Sequence, residues 1–352
     1  MRSRLLLSWL VLFVCASAFA ANPPRILIIF DMEGVSGIRS NPMTSFFKPE
    51  PYALGRKSLT ADVNAAIRGL KAGGAGAIWV QDGHGSGNAN EPDLLLDELD
   101  PRASFDFRPY YYDPYSTGLD GSLDAIVCIG MHARANTRGF LAHTYTYDVA
   151  FRVNGVDLTE THIIALSAAR WGIPVIMVSG DDVLGEQLKP DFAELEYAVV
   201  KVAKSHALAE PLPRGEVDHR IEAAAQRAVE KLLAGKFRPY YLRPPFDFEL
   251  SFPSWIEAAG AARSPLVRPS GDLAVRYTAP TFVEGYETSK HLITLALLNE
   301  RMALLNQSAE GKKLLDQEDE LEDQRWLDPE SIPAWFKTPP KPAPRTRFHG
   351  DN

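Results

Sequence analysis

The sequence predicts an α/β fold, with a mainly parallel sheet flanked by helices and a second, smaller α+β domain. Short apolar runs alternate with helix-period segments through the first half of the chain, as expected of successive βαβ units. Each apolar run ends in polar residues. The 352 residues, 45% of them hydrophobic, are sufficient for a large buried core.

The predicted elements of the first region follow in chain order. An apolar run at 26–30 indicates the first strand, and Leu59, Val63, Ile67 and Leu70 share one face of a helix that ends at Gly73. Further strands are predicted at 77–80, 125–129 and 174–179, with a helix at 159–171. We expect residues 21–215 to form the catalytic α/β domain.

The second region alternates helices and strands differently. A helix is predicted at 218–233, strands at 246–252 and 273–277, and further helices at 254–262 and 283–305. We expect residues 216–310 to form the smaller α+β domain. Residues 311–352 form a tail that is acidic from Gln317 and rich in proline at 333–344.

The first twenty residues have the pattern of a secretory signal peptide. Arg2 and Arg4 precede an apolar run at 5–14 that is too short to span a bilayer comfortably, and small residues precede a cleavage site after Ala20. We therefore expect export to a bacterial periplasm. The residues before Cys15 are bulkier than a lipid-attachment site tolerates, so we expect a mature chain without a membrane anchor.

Charge and cysteine content restrict the function further. Loss of Arg2 and Arg4 with the signal segment changes the net charge from −8 to −10, which disfavours nucleic acid as a partner. Cys128 would then be the only cysteine, so no intrachain disulfide can form. Its apolar neighbours predict a buried residue rather than a reactive thiol.

Chemically active side chains follow the predicted strands. Open α/β sheets bind ligands beyond the carboxyl ends of their strands, where this sequence has Asp31, Asp82, His84, His132 and Asp181. Mixed carboxylate and imidazole sets suit zinc or manganese. We therefore expect a metal site at this edge of the sheet.

The pair Asp31 and Glu33 could direct both carboxylates to one site, because alternate residues of an extended chain point the same way. Alone, this pair indicates a metal site no better than a solvated loop. His84 alone could be an ordinary loop histidine. A second histidine, His132, at an equivalent strand end makes coincidence a weaker explanation for both.

Three acidic residues near helix starts have more than one interpretation. Glu160, taken alone, fits a surface residue stabilised by the helix dipole better than it fits a metal ligand. Asp181 and Asp182, like Asp82 after the second strand, could orient metal ligands or bind a substrate ammonium group, and helix capping explains one of the first two equally well. His162 is interpreted as structural.

Four ordered motifs resemble the DppA-type zinc D-aminopeptidases: FDMEGVSG at 30–37, DGH at 82–84, GMHARA at 130–135 and GDD at 180–182. The resemblance covers residues 25–305. It implies two zinc ions, with Asp31 bridging both metals while Glu33, His84, His132 and Glu160 complete the ligand sets. It also implies a catalytic role for His143, eleven positions beyond His132, as a nucleophile or as an acid/base.

The leading functional hypothesis is release of N-terminal D-amino acids, such as D-alanine, from short peptides or amides. A two-metal phosphoesterase and a non-catalytic periplasmic metal- or peptide-binding protein are the alternatives. The resemblance further implies a ring-like homo-oligomer, such as a decamer of paired pentamers. By composition, residues 41–57 and the tail around Trp326, Trp335 and Phe336 are candidate contact surfaces.

Overall fold

The fold is taken from a computed structural model that describes residues 22–88, 91–107, 113–116, 119–146 and 148–327. The predicted signal peptide, the proline-rich stretch at 333–344, Trp335 and Phe336 lie outside the described residues. Across the described part of the chain, no helix combines the length and the apolar character needed to cross a lipid bilayer.

Two sheets organise the described residues. The larger has the strand order β3-β2-β1-β4-β7-β8-β9 and is parallel except for β9, and the smaller is antiparallel with the order β11-β12-β10-β5-β6. The strands are β1 (Ile26–Phe30), β2 (Ile78–Asp82), β3 (Ser104–Phe105), β4 (Ala125–Met131), β5 (Ala150–Val153), β6 (Val156–Asp157), β7 (Val175–Asp181), β8 (Glu196–Ser205), β9 (Leu208–Pro211), β10 (Phe246–Ser251), β11 (Arg268–Pro269) and β12 (Ala274–Ala279). The predicted α/β class with a mainly parallel sheet is confirmed.

Helices cover the large sheet on both faces. They are α1 (Pro49–Ala72), α2 (Glu160–Ala169), α3 (Asp182–Leu188), α4 (Arg214–Leu233), α5 (Trp255–Ala261), α6 (Phe282–Leu305) and α7 (Ala309–Leu327). Successive side chains of β1 point to opposite faces, so Ile28 and Phe30 pack with residues of α1 and α4. Leu27 and Ile29 belong to the core shared with α2, α6 and the small sheet.

Helix α1 starts ten residues earlier than the apolar periodicity predicts. Pro49 occupies its first turn, where the missing N–H of proline costs no hydrogen bond. Polar contacts stabilise this additional half: the Arg56 guanidinium donates to the backbone oxygens of Pro92, Asp93 and Leu94. Because these contacts are polar, they produce no periodic pattern of apolar residues from which the start of the helix could be predicted.

Strands of the small sheet are inserted in the chain between strands of the large sheet. Strands β5 and β6, at residues 150–157, belong to the small sheet, in which β5 pairs with β10 and β6 pairs with β5, although α2, β7 and β8 follow them in the chain. Helix α4 packs on α1 against the large sheet. Part of the expected acidic tail forms α7. The domain boundaries at 215/216 and 310/311 remain a prediction.

Candidate metal centre

The carboxyl ends of three neighbouring strands bring the first candidate ligands together. Asp31 follows β1 directly, His84 lies two residues beyond β2, and His132 follows β4. In the parallel register, Phe30 pairs with both Asp82 and Ile129, so the three strands end at nearly the same level. Met32, between Asp31 and Glu33 in the sequence, is fully buried in the core beside α1.

Glycine is required where β1 leaves the sheet. A Cβ atom on Gly34 would overlap the carbonyl group of Met131, and the Gly34 N–H donates to Gly130 O at 2.7 Å. Gly130 has a φ of +77°, a left-handed conformation that side chains rarely adopt. These two residues allow the backbone that carries Glu33 to lie directly against the backbone that leads to His132.

Glu160 reaches the same point from the first turn of α2. Thr159 caps this helix by accepting a hydrogen bond from the backbone N–H of His162, whose Nδ1 faces the Thr159 N–H at 3.2 Å. Glu160 is only 2% exposed, and its Oε2 lies 3.2 Å from Nε2 of His132. Glu160 is therefore buried and not a surface residue. His162 completes the helix cap, and its Nε2 lies 3.2 Å from Oδ2 of Asp191.

Six side chains thus form what we call the histidine–carboxylate cluster. It consists of two groups, and the candidate ligand atoms within each group lie within 4.8 Å of one another. The first group is Asp31, Glu33 and His84, and the second is His132, His143 and Glu160. The Nε2 of His84 lies 3.1 Å from Glu33 Oε1, and Oδ2 of Asp31 lies 3.2 Å from Nε2 of His132, which joins the two groups.

All three histidines of the cluster are oriented by an acceptor at Nδ1. His84 pairs with Asp93 at 2.9 Å, His132 with Ala133 O at 3.0 Å and His143 with Leu141 O at 2.8 Å. A carbonyl or carboxylate oxygen can only accept, so each Nδ1 carries the proton. In the neutral tautomer, each Nε2 therefore directs a lone pair toward the carboxylates, which is the arrangement found at metal-bound histidines.

Several buried atoms of the cluster lack hydrogen-bond partners among the described residues. These are Oδ2 of Asp31, Oε2 of Glu33 and Nε2 of His132. Oδ2 of Asp31 and Nε2 of His132 lie 3.2 Å apart but lack hydrogen-bonding geometry. Unpaired polar atoms are costly to bury, and here they are oxygen and imidazole atoms converging from different strands. This donor set fits divalent metal ions such as zinc.

The charges of the cluster are strongly coupled. Burial raises the pKa of Asp31 to about 8, and the Glu33 carboxylate adds to this. Burial also opposes ionisation of Glu33, but the charge of His84 holds the pKa of the Glu33 carboxyl well below the usual range. Burial disfavours charging of His132, yet Glu160 and Asp31 raise its pKa well above normal. Protonated imidazoles thus balance the carboxylates when no metal does.

His143 differs from its neighbours in charge. Burial and the adjacent charge of His132 lower its pKa, so its imidazole is neutral near pH 7. Its ring stacks on that of His132 with a centroid separation of 4.0 Å, and its Nε2 lies 3.8 Å from Glu160 Oε1. A neutral ring with its Nε2 lone pair toward the cluster can accept a proton.

The loop that carries His143 is held in an unusual conformation. Asn136, Leu141 and Tyr145 have φ values of 61°, 50° and 66°, which are uncommon for residues other than glycine. The backbone N–H of Tyr145 donates to Glu160 Oε1 at 2.7 Å. Strained residues of this kind persist where the surrounding structure fixes them, often at functional sites.

The three further aspartates hold backbone segments rather than joining the cluster. Asp82 accepts hydrogen bonds from the backbone N–H groups of His84 and Asp93, at 2.9 and 3.1 Å. Asp181 caps α3 and also accepts from Phe140 N, which anchors the His143 loop. Asp182 accepts from Ala203 N and lines a different cavity.

Sequence reasoning missed three buried residues that support the cluster. Asp93 orients His84, and the Tyr115 hydroxyl lies 3.1 Å from Glu160 Oε2. Lys201 of β8 is fully buried and donates to the backbone oxygens of Glu33 and Ile38 at 2.8 and 2.9 Å. Only Lys201 left a signal in the sequence, as a charge within an apolar run.

A cavity of about 330 Å³ opens onto the cluster. Asp31, Glu33, His84, His143 and Glu160 line its inner wall. The remaining walls come from the segment after β1, the turn at 113–116, the His143 loop and α6. The site is thus accessible to a small organic ligand.

Comparisons with known proteins identify the family. A curated relative, the D-aminopeptidase of Bacillus subtilis (strain 168), is 26% identical over 280 residues, which cover 78% of this chain and 98% of the relative. A solved structure described as the Zn-dependent D-aminopeptidase DppA from Bacillus subtilis, a self-compartmentalizing protease, superposes with a TM-score of 0.67 at 23% identity, covering 77% of this chain and 98% of the other. These findings confirm the resemblance found in the motifs. A profile of the Peptidase M55 family, described as D-aminopeptidase, matches residues 25–291, so this metallo-aminopeptidase belongs to that family.

Proposed function

We propose that this protein is an exported, zinc-dependent D-aminopeptidase that releases an N-terminal D-amino acid, such as D-alanine, from short peptides or amides. The observation that carries the proposal is the common orientation of His84, His132 and His143, whose Nε2 atoms face buried carboxylates. Family membership and the zinc dependence of the solved relative support it. Neither favours a phosphoesterase or a non-catalytic binding protein.

The ligand assignment follows from the two groups of the cluster. Glu33 and His84 would hold one divalent ion, and His132 and Glu160 the second. Asp31 would serve both, because it belongs to the first group while its Oδ2 lies 3.2 Å from His132. Mixed carboxylate and imidazole sets of this kind suit zinc.

The proposed reaction is hydrolysis of the bond after the first residue. When bound, two divalent ions lower the pKa of water and polarise the scissile carbonyl group. His143 takes the proton from the attacking water and delivers it to the leaving amine, because its neutral ring has an Nε2 lone pair directed at the cluster. Its Nδ1–H bond to Leu141 O keeps this orientation throughout.

Short substrates and an exported location are parts of the same proposal. A cavity of about 330 Å³ is at the small end of ligand sites and suits a peptide of a few residues. The signal-like segment at 1–20 supports export to the periplasm, which would make cell-wall peptides available as substrates.

We further propose that the chain forms a homo-oligomer. The solved relative is described as self-compartmentalizing, and Leu321, Trp326 and Leu327 of α7 are 63%, 78% and 74% exposed. Exposed apolar side chains at this density suit a subunit contact. Sedimentation of the mature protein tests the proposal, and a monomer at micromolar concentration would contradict it.

The activity is tested with matched D- and L-alanyl amides and the zinc-loaded protein. We expect hydrolysis of the D series with little turnover of the L series. Preference for the L series at full metal content would refute the stereochemical proposal. Metal analysis of His132→Ala tests the site, with two bound ions expected to fall to one or none.

A further inference from the structure

One face of α6 forms the cavity wall contributed by this helix. Lys290, Ile293, Thr294 and Leu297 all line the cavity, and their spacing of three, four and seven residues places them on one side of the helix. This wall is apolar except for Thr294 and the ammonium group of Lys290.

Lys290 is the only lysine or arginine among the described residues that line the cavity. The inner wall carries the carboxylates of Asp31, Glu33 and Glu160. The cavity therefore has a metal-binding acidic end and one basic group on a wall built by another element. A peptide with free termini is complementary to this cavity, because it has an ammonium group for the acidic end and a carboxylate for the basic group.

The ammonium group of Lys290 is held in place. Its Nζ lies 2.6 Å from Asp113 Oδ2 and 2.9 Å from Glu287 Oε1, and its side chain is 18% exposed. Burial opposes the charge, but Asp113 and Glu287 raise the pKa of Lys290, so it stays protonated. Two acceptors leave one of its three N–H donors for a ligand.

The turn at 113–116 connects this cation to the cluster. Asp113 contacts Lys290, and two residues later the Tyr115 hydroxyl lies 3.1 Å from the Oε2 of Glu160. Backbone N–H groups of Tyr115 and Ser116 donate to Asp113 Oδ1, which stiffens the turn. One short segment therefore contacts both Lys290 and Glu160.

We propose that Lys290 binds the C-terminal carboxylate of the substrate, so that the enzyme selects short peptides with a free carboxylate over their amides. This inference rests on the proposed function. The substrate carboxylate accepts from the remaining N–H donor of Lys290, while Glu287, whose Oε1 also accepts from Ser116 Oγ at 3.0 Å, keeps its contact. Asp113, whose side chain is 5% exposed, keeps the ammonium group in position.

The test compares D-alanyl-D-alanine with its C-terminal amide on the zinc-loaded enzyme. We expect wild type to favour the free acid in kcat/KM by about 10- to 100-fold, the range of a charge-assisted hydrogen bond. Lys290→Gln should abolish this preference mainly by raising KM for the acid, and Lys290→Arg should retain part of it. His291→Gln, at an exposed position beside Lys290, is the matched control and should behave as wild type.

Lys290→Gln removes the ion pair with the buried Asp113, so this variant is also combined with Asp113→Asn. We expect the double variant to fold and to lack the preference for the acid. Equal kcat/KM for acid and amide in wild type, or a preference that survives in the double variant, would overturn the inference alone. Absence of turnover of both substrates by the zinc-loaded wild type would overturn the proposed function together with it.

Discussion

The Nδ1 atom of His84 lies 2.9 Å from Oδ2 of Asp93, a carboxylate with no solvent exposure. The Tyr52 hydroxyl donates to the other oxygen of the same carboxylate, and Asp93 N donates to Asp82 at 3.1 Å. Asp93 therefore fixes both the tautomer and the ring orientation of His84, in the way that carboxylates behind metal-bound histidines do.

If His84 is a metal ligand as proposed, Asp93→Asn should weaken metal binding at His84 by about 10- to 100-fold, because the amide no longer stabilises the required tautomer as a carboxylate does. Competition with a chromophoric zinc chelator measures this change. The control is Asp97→Asn, at an exposed position in the same loop. Equal zinc affinities for the two variants would exclude the orienting role.

Zinc binding should release protons and weaken as the pH falls. Carboxylate neighbours raise the pKa values of His84 and His132 well above normal, and burial raises that of Asp31 to about 8. These groups carry protons at neutral pH in the metal-free protein and must lose them to bind a metal. Calorimetry in two buffers of different ionisation enthalpy measures the protons released. A binding enthalpy independent of buffer would contradict the expected release.

His143→Ala should lower kcat by about 10²- to 10⁴-fold while both metal ions stay bound, as expected for loss of a proton-transfer group. Steady-state kinetics with metal analysis separate this role from ligation. His219→Ala, on an exposed position of α4, should leave both quantities unchanged. If His143→Ala loses a metal ion instead, the residue is a ligand.

Gly34→Ala should destabilise the metal-free fold by about 1–3 kcal/mol, the usual cost of overpacking. The added methyl group would overlap the Met131 carbonyl and displace the backbone next to Glu33. The control is Gly215→Ala, a helical position with open space around it, where a neutral or slightly stabilising change is expected. Urea unfolding measures both variants, and similar stabilities would refute the steric argument.

The sequence allowed prediction of the parts of the site that depend on periodicity. Asp31, His84 and His132 follow strands whose apolar runs are plain in the sequence, and parallel strands bring their ends to one edge. Glu160 could not be assigned in this way. A glutamate in the first turn of a helix is usually exposed, and only the packing of α2 against the large sheet turns this one inward.

The supporting residues could not be predicted for a different reason. Asp93 and Tyr115 lie in irregular segments, and their contacts with His84 and Glu160 join residues 9 and 45 positions apart. No local pattern specifies such contacts. The early start of α1 is similar, because Arg56 stabilises it through backbone oxygens 36 to 38 positions away.

The proposed metal ligands of the histidine–carboxylate cluster come from four separate segments, and the positions of three of these segments depend on how β1, β2 and β4 are aligned. A shift of β1 by one residue would turn Asp31 and Glu33 to the opposite face of the sheet. Zinc therefore stabilises only chains whose strands have paired correctly, by an amount that grows with free metal concentration. A bound metal would in this way favour the correct register of the strands, in addition to its proposed part in hydrolysis.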